Sequence, residues 1–301
     1  MIRFRGFSKR FGTHTAVDGL TLEVAAGEVV ALLGPNGSGK TTSLKAAAGL
    51  VIPTEGEVVV GDPPRPASDP AARRVCSFLP QKVAFPEALS GREVVEFYRA
   101  LRGASAERTD EVLRFASLNG AGSRLVGTYS GGMLQRLGLA VAMLPDAPVL
   151  LLDEPTAALD PDGLCAFYGV VERRRAEGRT VLFTSHQLGD VERLADRFVV
   201  LIEGRQVAAF SQRDLADRLA DRGVMRVRLA ACPPDLVARV RELAPHALWV
   251  EASQELIVPG PATLRPRVLD VVRGAGAEIR GLTAEEGRLD AFYRELVEAH
   301  R

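Results

Sequence analysis

Two short stretches concentrate the residue types that handle phosphate and a divalent metal. The first, Gly34-Pro35-Asn36-Gly37-Ser38-Gly39-Lys40-Thr41 with Thr42 behind it, fits G-x-x-x-x-G-K-[ST] at every fixed position. Gly37 and Gly39 allow backbone N–H groups to turn inward around phosphate oxygens, where a Cβ would stand in the way. Lys40 is expected to reach the β- and γ-phosphates, and the Thr41 hydroxyl to ligate Mg²⁺. The second stretch, PVLLLDEP over 148–155, ends an apolar run on Asp153 and Glu154. Asp153 then falls at the C-terminal end of a buried strand, where open α/β sheets bind ligands, and is expected to hold Mg²⁺ directly or through water. Glu154 is placed to polarise the water that attacks a γ-phosphate. ATP and Mg²⁺ are the expected ligands.

The flanking sequence supplies the elements such a site needs. The apolar run EVVALLG enters the glycine loop, and TTSLKAAAGL leaves it as a helix of small and aliphatic residues. Strand, loop and helix follow in the order of a phosphate-binding unit. IRFRGF, LTLEV and GEVVVGD read as further strands, and the proline-rich stretch from Asp62 to Pro70 as a surface loop. From about Pro86 to Leu144 the pattern is helical, with REVVEFYRALRG, ERTDEVLRFASL and GGMLQRLGLAVAML. PVLLLDEP and TVLFTSH are near-continuous apolar runs, as parallel strands covered on both faces should be. GLCAFYGVVERRRAEG between them is a helix, and RFVVLIEGRQVAAF a hairpin around Glu203-Gly204. After about Phe210 come a charged helix (RDLADRLADRG), three short strands (MRVRLA, ALWVEA, ELIVPG), the helix PRVLDVVRGAG and the closing helix GRLDAFYRELVEAH.

Composition narrows the field. The chain has 301 residues, enough for more than one domain, and 38 basic against 38 acidic side chains. Zero formal charge removes the usual reason to expect nucleic acid as a partner, because phosphate backbones are held by surplus cations. Cys76, Cys165 and Cys232 lie far apart and give neither a disulfide framework nor a zinc site, which suits a reducing cytosol. The N-terminus carries no apolar secretory segment, and no run approaches the roughly 20 apolar residues that span a bilayer.

The stretch Ser130-Gly131-Gly132-Met133-Leu134-Gln135-Arg136 resembles the signature motif of ATP-binding subunits of ABC transporters. With the two phosphate motifs it extends the likeness over about residues 1–210. A serine at a helix N-cap followed by two glycines also makes physical sense, since it lets a helix start approach an anion closely. The resemblance implies an α/β P-loop NTPase (RecA-like) cassette over 1–210. That cassette would have an N-terminal antiparallel β subdomain and an inserted helical subdomain over about 86–144. A small α+β accessory or regulatory domain would follow over 211–301. It further implies a head-to-tail dimer in which Ser130, Gly131 and Gly132 meet the γ-phosphate bound by the other copy.

Individual positions carry over. Phe11 resembles the adenine-stacking aromatic, the alternative being a core phenylalanine. Gln81 resembles the Q-loop glutamine that senses Mg²⁺ and the attacking water, Asp160 the loop that passes between subunits, and His186 the switch histidine at the γ-phosphate. Tyr129 and Met133 depart from the leucine and glutamine most common at their positions. The family implies a separate membrane permease docked near Gln81 to Leu101, where Phe85, Pro86 and Leu89 offer apolar contacts, so the chain would sit peripherally on the cytoplasmic face of the inner membrane. TTSLK, FPEALSGREVVEFYRALRG and TYSGGMLQRLGLAVAML look most like the ATPase subunit of the Nos transporter. That likeness implies copper-site maturation of nitrous-oxide reductase and a periplasmic maturation partner. The closing RLDAFYREL also fits that likeness, but it equally resembles the endings of ATPases of drug, lipid and polysaccharide exporters. No histidine, cysteine or methionine spacing supplies a copper site in the chain itself.

Overall fold

The computed structural model describes residues 1–300. Its contacts divide the chain into two compact units, Met1–Phe210 and Ser211–Arg301. The first unit runs β1 (Ile2–Phe11), β2 (His14–Val24), β3 (Val29–Leu33), α1 (Lys40–Ala47), β4 (Glu55–Val60), β5 (Arg65–Pro66), α2 (Pro70–Arg74) and β6 (Cys76–Leu79). It continues with α3 (Gly91–Arg102), α4 (Glu107–Phe115), α5 (Gly131–Met143), β7 (Val149–Leu152), α6 (Pro161–Ala176), β8 (Thr180–Ser185), α7 (Leu188–Leu194), β9 (Arg197–Ile202) and β10 (Arg205–Ser211).

The apolar runs form the central sheet, ordered β10-β9-β3-β8-β7-β6. Every residue of β3, β7 and β8 is buried, as strands covered on both faces should be. β3 pairs in parallel with β8 and β9, and β7 with β6 and β8. This register has one consequence for chemistry. Leu33 stands beside Ser185, and Leu152 beside Phe183, so the loops leaving β3, β7 and β8 emerge at one edge. A second, antiparallel sheet, β2-β1-β4-β5, packs over α1, which touches strands of both sheets. Phe4, Phe7, Leu20 and Val58 from that sheet share a core with Leu32, Leu44 and Leu182.

The helical insert begins with a capping box at α3, where Ser90 and Glu93 satisfy each other's backbone N–H groups, and α3 stops at Gly103 in the left-handed region (φ 66°). The hairpin at Glu203-Gly204 has positive φ at both turn residues (49° and 82°), the backbone a two-residue hairpin favours. Within the proline-rich stretch the chain is not purely loop: Arg65–Pro66 adds a short edge strand by pairing with Val60 and Val59, and α2 starts at Pro70 behind the Asp69 cap. β6 and α7 are absent from the sequence reading. Four residues in the one and seven in the other are too few to show a period.

The second unit runs α8 (Gln212–Ala220), β11 (Val224–Leu229), α9 (Leu236–Arg241), β12 (Leu248–Val250), β13 (Glu255–Pro259), α10 (Arg265–Gly274), β14 (Ile279–Glu285) and α11 (Leu289–Glu298). From β11 to β14 the order is βαββαβ, with antiparallel strands arranged β12-β13-β11-β14, a split-βαβ layer. Met225, Val227 and Leu229 alternate inward onto Leu236, Val240, Val268 and Val272 of the two crossover helices. β14 and α9 are not legible in the sequence: Ile-Arg-Gly-Leu-Thr-Ala-Glu is a mostly exposed edge with a glycine inside it, and α9 is under two turns.

Candidate nucleotide site

The glycine loop is held by close backbone packing as well as by its turns. A Cβ on Gly34 would lie 2.2 Å from the Leu201 carbonyl oxygen, and one on Gly39 2.5 Å from that of Ala16. Glycine is therefore required on the protein side of the loop, where it presses on β9 and β2, before any ligand is considered. Gly39 is the N-cap of α1 and brings no side-chain cap, so the first-turn N–H groups of α1 remain available to an anion. Lys40 folds back over the loop, donating to the Gly34 and Pro35 carbonyls at 2.7 and 3.0 Å. Burial holds its ammonium below the ordinary lysine range, opposed by the charges of Glu154 and Asp153.

The edge where β7 and β8 end brings in the carboxylates. Asp153 is fully buried and accepts at Oδ1 from Thr41 (3.0 Å) and from Thr184 (2.8 Å). Burial raises its carboxyl above the usual range, and those two hydrogen bonds work against the shift. Its Oδ2 is buried without a partner. An orphaned carboxylate oxygen next to the Thr41 hydroxyl is an all-oxygen donor set, which suits a small hard dication that keeps several waters. Glu154 sits at φ 47°, an uncommon backbone conformation for a side-chain residue. Its N–H donates to Thr184 Oγ1 at 2.7 Å, and its Oε2 accepts from Gln81 Nε2 at 2.8 Å. His186 Nδ1 stands 3.6 Å from the same oxygen.

A cleft of about 480 Å³ opens over these groups, lined by Asn36, Gly37, Ser38, Gly39, Lys40, Thr41, Thr42, Gln81 and Glu154, with Phe11, His14 and Ala16 on the other wall. Phe11 is half-exposed at the mouth, with Lys9 Nζ 5.0 Å from its ring, so it is not a core phenylalanine. His14 faces it across the β1–β2 hairpin. His14 and Thr184 were missed from the sequence. Thr184 had a signal, two positions before His186 in an apolar strand, whereas His14 enters only through the hairpin register.

The remaining motif residues gather elsewhere. Ser130 caps α5, accepting from Met133 N at 3.2 Å, and both Ser130 and Gly131 are exposed. Gly132 abuts the 158–160 loop: a Cβ there would lie 3.0 Å from the Ala158 carbonyl. Asp160 caps α6 through Gly163 N at 2.9 Å and pairs with Arg136 at 3.4 Å. None of Ser130, Gly131, Gly132 or Asp160 lines the cleft. Tyr129, the unusual residue before the signature serine, is accommodated: its hydroxyl donates to the Ala121 carbonyl at 2.8 Å and its ring edge fills the space that a side chain at Gly91 would need. Of the apolar residues expected at a permease contact, Phe85 is half-buried against Tyr98, while Phe97 and Leu101 on α3 are the large exposed apolar side chains nearby.

A glycine loop between strand and helix, with an acidic pair ending a parallel strand beside it, defines a P-loop nucleotide-binding cassette. Comparison with known proteins takes this further. The ABC transporter family pattern matches residues 17–157. The chain is 36% identical over 274 residues to the Nod factor export ATP-binding protein I of Burkholderia lata, covering 89% of each. It is 35% identical over 300 residues to the daunorubicin resistance ATP-binding protein DrrA3 of Streptomyces coeruleorubidus, covering 97% of this chain and 94% of that one. A dimeric post-hydrolysis structure of an ATP-binding cassette with ADP and Pi superposes with a TM-score of 0.65 at 27% identity, over 71% of this chain and 99% of that one. The chain belongs to the ABC transporter ATP-binding family and is an ABC ATPase. Among the described residues no helix is long and apolar enough to cross a membrane.

Proposed function

We propose that the chain is the ATP-hydrolysing subunit of an ABC exporter, working as a head-to-tail pair of copies on a separate membrane permease. The observation that carries the hydrolytic role is the convergence of Gln81, Glu154 and His186 at the mouth of the phosphate loop, at 2.8 and 3.6 Å from one carboxylate oxygen. In this reading Phe11 stacks on adenine, the loop 34–42 and Lys40 cradle the phosphates, and Thr41, Asp153 and Gln81 hold Mg²⁺. When bound, Mg²⁺ supplies neutralisation of phosphate charge. Glu154 orients a water and accepts its proton, Gln81 fixes the carboxylate that does so, and His186 stabilises charge on the γ-phosphate. Ser130, Gly131, Gly132 and Asp160 serve the copy opposite.

The export reading is supported by relatives whose names concern Nod factor export and daunorubicin resistance. They give no support to copper-site maturation or to a periplasmic maturation partner, so the resemblance to the Nos ATPase reflects stretches shared across exporters. Phe97 and Leu101, with Tyr98 behind them, join Phe85, Pro86 and Leu89 as the permease-facing contacts in this reading. Through that permease the chain sits on the cytoplasmic face of the membrane, and the unit from Ser211 onward regulates the cassette or adds dimer contacts. Glu154→Gln should lower ATP turnover by about 10²–10⁴-fold while leaving ATP affinity unchanged. Near-normal turnover in that variant, measured by phosphate release, overturns the assignment.

A further inference from the structure

The tips of β7 and β8 are tied together twice. On the nucleotide side Thr184 joins Asp153 and the Glu154 N–H, as above. On the far side the link is Asp190, a residue no motif picks out. It lies in the first turn of α7, and only 3% of it is exposed. Its Oδ2 accepts from Thr156 Oγ1, two residues beyond Glu154, at 2.7 Å, and lies 3.4 Å from Ser185 Oγ, the residue before His186. Its Oδ1 accepts from the Tyr168 hydroxyl of α6 at 2.8 Å. Ser185 Oγ in turn accepts from Gln187 N at 2.9 Å, which closes the turn that displays His186.

This is not helix capping. Gln187, the N-cap of α7, receives no side-chain cap, and the Asp190 carboxylate reaches sideways into the protein instead of back along the helix. The anchor is stiff at its far end, because Arg193 stacks over the Tyr168 ring at 4.1 Å and pairs with Glu172 at 3.7 Å. Burial and the bond to Asp190 push the Tyr168 hydroxyl up to about 12, so it stays a donor across the working range. A buried carboxylate held by the Thr156 and Tyr168 hydroxyls fixes the segment after Glu154 and α6 relative to the start of α7, which follows directly on the His186 turn; the one Ser185 proton has its nearer acceptor in the Gln187 carbonyl, at 3.1 Å.

We infer that Asp190 is a positioning residue for hydrolysis, setting where the His186 turn stands relative to Glu154. The inference rests on the ATPase reading above and adds to it the residue that holds the two catalytic strand ends in register. It differs from a general structural role in predicting that Asp190 acts through His186.

The test is a mutant cycle on the full chain, read by steady-state ATP turnover and by ATP binding. Asp190→Ala should lower kcat about tenfold or more, with KM and ATP affinity changed less than about twofold, and Asp190→Glu should recover most of that loss. In the His186→Ala background the same Asp190→Ala change should alter kcat by less than about twofold, because the group it positions is already gone. Equal fold losses in both backgrounds, or a wild-type kcat for Asp190→Ala, overturn the inference. If Asp190→Ala does not fold, as judged by circular dichroism, Thr156→Val decides by the same two criteria, since it removes only the link toward Glu154. Glu154→Gln serves as the separate control: normal turnover there removes the ATPase roles themselves, whatever the Asp190 cycle shows.

Discussion

Two helix starts in the cassette use the same device and end differently. α1 begins behind glycine-rich sequence with its first N–H groups uncapped, and α5 opens on Gly131-Gly132 with the Met133 N–H taken by the Ser130 cap. Around the start of α1 the chain supplies everything else: a buried lysine, a threonine hydroxyl, two carboxylates and a glutamine. Around the start of α5 it supplies only the Ser130 cap and the neighbouring 158–160 loop, and the surface stays exposed. The α1 end therefore holds a full set of phosphate-handling groups, whereas the α5 end is an exposed surface with none of them. That division suits the proposed head-to-tail pair of copies, in which each would lend its α5 start to the other's cleft.

Damage to the two ends in separate chains should give the largest effect. Ser130→Arg and Glu154→Gln should each lower turnover at least about a hundredfold alone. Mixed one to one, each supplies what the other lacks, so phosphate release should recover a substantial part of wild-type activity. Two dead variants that stay dead when mixed would show that both ends serve one and the same chain.

A smaller effect tests the cleft's outer wall. Base–aromatic stacking contributes about 1–3 kcal/mol, so Phe11→Ala should weaken ATP binding roughly tenfold, and Phe11→Trp should restore it. The α5 end has no such wall, and Tyr129→Phe should leave ATP affinity of the single chain unchanged.

The smallest effect is on stability and separates the buried end from the exposed one. Burial raises the Asp153 carboxyl, so as pH rises the unfolded chain ionises at the ordinary aspartate value before the folded chain does. Stability is therefore full below the unfolded value, falls as pH climbs toward the folded one, and stays reduced above it. Asp153→Asn should then raise the melting temperature of the nucleotide-free protein by a few degrees at neutral pH and not at pH 3, while abolishing metal-dependent ATP binding. A lower melting temperature at neutral pH would mean that the Thr41 and Thr184 hydrogen bonds outweigh the burial.

The sequence was legible where chemistry demands fixed residue types at fixed spacing. G-x-x-x-x-G-K-T works only as written because the helix must start on the lysine, and an apolar strand ending in Asp-Glu leaves little freedom in where the carboxylates go. Long apolar runs likewise announced β3, β7 and β8, since both faces of each are covered. The family and its core reaction were within reach of those residues alone.

Tertiary structure decided the rest, because it depends on register and on distances between segments remote in the chain. Which wall His14 joins is set by the β1–β2 hairpin, and Phe11 is an exposed aromatic and not a core one for the same reason. That Thr184 holds Asp153 and Glu154, and that Asp190 ties Thr156 and Tyr168 to the start of α7, follows from β7 and β8 being parallel neighbours, a pairing no local pattern encodes. β14 and α9 leave almost no periodic trace, because one is an exposed edge and the other a helix of under two turns, yet they complete the second unit. Local sequence names the groups that can react; only the pairing of strands says which of them stand within hydrogen-bond reach.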